Sequence, residues 1–239
     1  YEYRLPSGLR AFIAPEAVLP LARVSLIIDA PASQDPAGKE GLSDLLASIL
    51  RRAGTTSRTR EEFQQALARL NATLSIESSE TGPRLHLVSP PEAASEALAL
   101  LGELVTAPDI ASVFEAERER AAVSAGRAAD APGYQARLIF DQALYGPSHP
   151  LSRRPSPASV RAVTLQDVIA LHASRYRATH MALAASGRLE RPALEKALAS
   201  AFSGASAARG SSATPAAAGA APKVSGKVVV TRDLDIRQA

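Results

Sequence analysis

A chain of 239 residues, 46% hydrophobic and 21% charged, has a globular composition and enough length for one sizeable core or two small ones. Its net charge of +3 comes from interspersed acids and bases and gives no argument for nucleic acid, and the absence of cysteine excludes disulfides, thiol catalysis and cysteine-ligated zinc. No apolar run reaches the roughly 18 residues of a membrane span, and no signal peptide is visible at Tyr1, as expected of a cytosolic or already processed chain.

Taken in order, Tyr1 to Pro15 reads as a hairpin: Tyr1 to Leu5 alternates, Pro6-Ser7-Gly8 turns and Leu9 to Ala14 returns. Ala22 to Ala30 alternates and then becomes continuously apolar, as a central strand with one or both faces covered would. Gln34 to Lys39 is a loop. From Gly41 to Thr55, the apolar residues Leu42, Leu45, Leu46, Ile49, Leu50 and Ala53 recur at the spacing of one helix face, and Gly54 is a stop signal. Asp44, Ser48 and Arg51 lie off that stripe. Arg51, Arg52, Arg58 and Arg60 form a basic cluster without interleaved aromatics, read as a solvated helix end.

Thr59 with Glu62 forms a capping pair for a helix running to about Leu70. Ala72 to Glu77 and Arg84 to Val88 alternate as two strands around Thr81-Gly82-Pro83. Two helices follow, separated by Ala107-Pro108; the second, from about Ile110 to Ala129, is rich in Glu and Arg and reads as a solvated face. A third runs from Pro132-Gly133 to near Tyr145-Gly146. A short helix from Ala158 to Val163, a longer one capped by Thr164, an apolar strand from His180 to Ser186, and a closing helix from Arg191 to Phe202 complete the periodic part. Residues 203–224 have linker composition, and 225–239 begin with the strand Lys227 to Thr231.

Gly41-Leu42-x-x-Leu45-Leu46-x-x-x-Leu50, followed by Gly54-Thr55, resembles the active-site helix of the pitrilysin/insulinase family of zinc peptidases, to which the mitochondrial processing peptidase belongs. Further likenesses are Leu5-Pro6-Ser7-Gly8-Leu9-Arg10, the Asn71-Ala72-Thr73 segment, Tyr145-Gly146 with His149-Pro150, and His172 with Tyr176 and Gly187. Those enzymes carry His-x-x-Glu-His on the helix: the two His, one above the other, share zinc, and the Glu takes a proton from the metal-bound water. The matching positions here are Asp44, Ala47 and Ser48. The family's third ligand, a Glu, falls at Ser124 or Ala125. The resemblance therefore implies a scaffold that has lost all its ligands and its base, with no metal or other cofactor and no catalytic residue of its own. Of the four histidines His86, His149, His172 and His180, no two have ligand spacing.

The resemblance implies an α+β fold, a mostly antiparallel sheet with helices mainly on one face. It also implies a division into a peptidase-like domain (1–202), a linker (203–224) and the first strand of a second homologous half (225–239). The expected function is non-catalytic: a domain or subunit that pairs with an active zinc-peptidase partner and helps form the substrate chamber, in the bacterial periplasm. In active relatives the strand matching Ala72, Thr73, Leu74, Ser75, Ile76 and Glu77 pairs with an extended peptide, so peptide binding there is a further expectation. Two alternatives stay open: a metallopeptidase with atypical ligands, and a purely structural interaction module.

Overall fold

The structure, a computed structural model, describes residues 1–204 apart from Ala17 and Leu19. Most of the linker and the whole of the 225–239 strand expected from the sequence thus lie outside the described residues.

Six strands, β1 (Glu2–Arg4), β2 (Arg10–Pro15), β3 (Ala22–Ile28), β4 (Thr73–Ser79), β5 (Gly82–Ser89) and β6 (Met181–Gly187), form one sheet in the order β1-β2-β6-β3-β5-β4. Only β2 and β6 run parallel; the other neighbours are antiparallel. The side-chain period of two sorts the residues to opposite faces. On β3, Ala22, Val24, Leu26 and Ile28 are buried, while Arg23, Ser25 and Ile27 on the other side are more exposed. So β3 is central in the sheet but covered on one face only.

The helices are α1 (Leu42–Arg52), α2 (Arg60–Arg69), α3 (Ala94–Thr106), α4 (Ile110–Ala129), α5 (Pro132–Tyr145), α6 (Pro157–Arg161), α7 (Leu165–Arg175) and α8 (Arg191–Ala201). The fold is α+β with helix exceeding strand. A core of Leu26, Leu85, Leu87 and Leu183 from the sheet meets Leu45, Ile49, Leu98, Leu101 and Leu198 from the helices. Each side chain of this size contributes roughly 1.5–3 kcal/mol on leaving water. Thr59, Ser156 and Thr164 close capping boxes at the starts of α2, α6 and α7. Gly102 lets α3 and α8 touch: a Cβ there would lie 2.2 Å from the Ala201 carbonyl oxygen.

Candidate functional site

The start of α1 is fixed from the loop before it. The buried Asp35 carboxylate accepts hydrogen bonds from the Gly41 amide at 2.9 Å, the Ser43 amide at 3.1 Å and the Ser43 hydroxyl at 2.5 Å. These donors favour the ionised form, but burial outweighs them and pushes the Asp35 pKa up to about 6. Gly41, at φ 103°, takes the left-handed conformation that turns the loop into the helix.

The apolar stripe of α1 then faces the sheet, which leaves its other side toward α4, with residues of α5 across the gap. A cavity of about 720 Å³ lies there. Asp44, Ser48 and Ser124, which match family ligands, all line it. Ala47, at the general-base position, is 1% exposed and offers no polar side-chain atom.

What occupies this region is an ion-pair network. The Ser48 hydroxyl donates to Glu117 Oε2 at 2.8 Å. Glu117 Oε1 pairs with Arg52 Nε at 3.2 Å and with the Arg120 guanidinium. The Glu117 side chain is only 1% exposed, whereas both arginines are more than half exposed. A second buried carboxylate, Asp141 on α5, pairs with Arg137 at 3.0 Å and with Arg154, while its Oδ1 makes no hydrogen bond. Arg153 bonds Glu40 at 3.4 Å across the mouth.

This donor set does not fit zinc. Asp44 is an exposed carboxylate, Ser48 and Ser124 are neutral hydroxyls, and Glu117 is already neutralised by two guanidiniums that would repel a divalent cation. Among the described residues no group of three or more His, Asp or Glu side chains could hold a metal ion. The histidines are dispersed. His149 stacks on Tyr145 at 5.1 Å and caps the turn Pro150–Ser152, and His172 Nε2 bonds the Val105 carbonyl at 2.9 Å. Burial pulls the His172 pKa down.

Two readings of the sequence are corrected here. The charged face of α4 is solvated at Glu115 and Glu119, the latter paired with Arg161, but Glu117 is buried in the site. The spacing could have found it: Glu117 lies seven residues before Ser124, two turns along one helix face. The basic cluster, in turn, is more than a solvated helix end. Arg52 neutralises Glu117, Arg58 pairs with Glu103, and Arg60 donates to the Arg51 carbonyl at 3.1 Å.

The segment expected to take a peptide falls almost wholly within β4. Ala72 precedes β4, and Thr73, Leu74, Ser75, Ile76 and Glu77 lie within it, at the edge of the sheet among the described residues. Arg51, which lines the cavity, donates from Nη1 to the Ile76 carbonyl at 3.2 Å. No helix of the described residues is long and apolar enough to cross a membrane.

No protein-family model and no curated protein matches the sequence. Solved structures do. The peptidase M16 inactive domain from Pseudomonas fluorescens is 23% identical with a TM-score of 0.76, over 85% of this chain and 50% of that one. A protease from Helicobacter pylori is 16% identical with a TM-score of 0.75, over 86% of this chain and 50% of that one. Pitrilysin is 17% identical with a TM-score of 0.73, over 86% of this chain and 22% of that one. The chain spans half the length of the first two. Asp44, Ser48 and Ser124, the positions that the sequence resemblance matches to metal ligands, line one cavity, and the chain has the fold of the pitrilysin/insulinase-type peptidases.

Proposed function

We propose that this chain is a non-catalytic, peptidase-like domain that pairs with an active zinc peptidase and helps hold its peptide substrate. The observation that carries the reading is the Ser48–Glu117–Arg52–Arg120 network. A site that had lost one ligand would leave the others waiting for a metal; here a buried carboxylate is bound by a hydroxyl and two cations, all from the protein itself. The likeness to a domain named as inactive supports the same conclusion. The edge position of β4 supports a role in peptide holding, because an extended peptide can add to a sheet edge through main-chain hydrogen bonds.

The test mixes the purified chain with a protein that carries an intact His-x-x-Glu-His motif and is encoded beside it. Cleavage of an unstructured peptide is then followed, with metal content measured in parallel. The expected result is substoichiometric zinc in this chain, no cleavage by it alone, and faster cleavage by the pair than by the partner. Stoichiometric zinc with cleavage by this chain alone overturns the proposal. Peptide binding with no effect on any partner's turnover points instead to an assembly module.

A further inference from the structure

The hairpin geometry fixes which backbone groups β4 offers. The turn between β4 and β5 is closed by Ser79 opposite Gly82, with Glu80 and Thr81 at its tip. In an antiparallel pair, residues alternate between those that exchange both hydrogen bonds across the ladder and those that face away. Pro83 stands opposite Ser78 and has no N–H to exchange, so Ser78 belongs to the outward set. Counting back by two, Ile76 and Leu74 join it. The Arg51 contact on the Ile76 carbonyl agrees: a side chain can reach that oxygen because the ladder does not use it.

An added strand takes the Ile76 carbonyl with one of its own amides and so competes with Arg51 for that oxygen. The incoming residue directly opposite Ile76 projects its side chain to the same sheet face as Ile76. That is the helix-covered face, where α1 lies and where Ile76 is buried. The released guanidinium therefore meets that side chain. Its neighbours are cationic too: Arg52 is held by Glu117, and Arg60 bonds the Arg51 carbonyl. Glu77, next along β4, points to the opposite face. The carboxylates lining this cavity are Glu117, Asp141 and Glu40, each already paired with arginine, and the exposed Glu80 and Asp44.

We propose that Arg51 selects peptides with an acidic side chain opposite Ile76, exchanging a backbone carbonyl for a carboxylate when the peptide adds to β4. The inference rests on the β4 reading under Proposed function.

The full chain is titrated into fluorescein-labelled decapeptide pools, randomised except for one central position fixed as Glu, Gln, Lys or Leu, and anisotropy is read. The Glu pool is expected to bind about tenfold more tightly than the Gln pool, the size of one charge-assisted contact. R51A abolishes that preference while still binding, R51K keeps part of it because it keeps the charge without the fork, and R51E turns the preference to Lys. Circular dichroism and thermal melting check that each variant is folded. Binding of all pools alike by the wild type, or an acid preference that survives in R51A, overturns the selection by Arg51 and leaves β4 docking standing. Absence of binding to every pool by both the wild type and R51A, or binding that a proline at Leu74 leaves unchanged, overturns β4 docking and this proposal with it.

Discussion

The two sides of α1 follow different rules. On one, Leu45, Leu46 and Ile49 are wholly buried against the sheet. On the other, Asp44, Ser48 and Arg51 face a cavity that is open to solvent. The buried side is constrained by close packing, where a lost methylene is felt as a cavity. The cavity side is constrained only by whatever chemistry it performs. Once metal chemistry is given up, polar side chains there can change type, provided that each buried charge keeps a partner. The comparison shows how the two sides can vary independently: packing energy and polar contacts lie on opposite faces of the same two turns.

The largest effect follows from the buried side. Ile49→Ala is expected to cost about 3–4 kcal/mol, the transfer loss plus an unfilled void, measured as the shift in urea midpoint at unchanged slope. A cost below about 1 kcal/mol would mean that the core collapses onto the gap and that α1 is not the rigid partner of the sheet described above.

On the cavity side the cost depends on which partner is removed. In the R52A/R120A double variant Glu117 stays buried with only Ser48 as a donor, for an expected loss of about 2–3 kcal/mol. Glu117→Gln keeps an acceptor for Ser48 and releases two arginines that already reach water, for about 1 kcal/mol. The inequality between these variants is the sharper test. Equal losses would show that the network acts through packing rather than charge.

The same division explains what could be read from the chain in advance. The α4 boundaries, the α5 start at Pro132 and the β4–β5 hairpin were legible, because each has local periodicity ended by Pro, Gly or a capping residue. Sheet order was not legible from residue patterns: β6 inserts between β2 and β3, and its parallel pairing with β2 joins segments far apart in the chain. Nor was the fate of the charges. Arg52, Arg58 and Glu117 look like ordinary surface residues beside their neighbours, and only the packing of α1 on α4 and of the α1–α2 loop on α3 gives each its partner. The positions that match the family's ligands and base, Asp44, Ala47, Ser48 and Ser124, could be named from the motif; the ion-pair network around Glu117 could not.

A pH series sharpens the contrast at the entrance to α1. Asp35 is held at about 6 in the folded protein against an ordinary 3.8. Between those values the folded state keeps a proton that the unfolded chain has released, so stability falls as pH rises through this window. The expected observation is a melting temperature that falls more steeply from pH 4 to pH 7 in the wild type than in D35N, whatever the offset between them. Parallel curves would show that Asp35 titrates alike in both states and that its burial is relieved in solution.

The smallest effect belongs to Asp44, at a position that the sequence resemblance matches to a ligand. Asp44 is exposed in the first turn of α1, where a negative charge is favoured by the helix dipole by a few tenths of a kcal/mol. It also raises the pKa of Asp35 by repulsion, which opposes that gain. With both contributions small and opposite, Asp44→Ala should change stability by less than about 0.5 kcal/mol. Its detectable consequence is a downward shift of the Asp35 titration, readable from the carboxyl carbon resonance. If Asp44→Ala instead removed a measured peptidase activity of this chain, the cavity face would still be under chemical constraint, and the distinction between the two sides of α1 would fail where it was drawn most sharply.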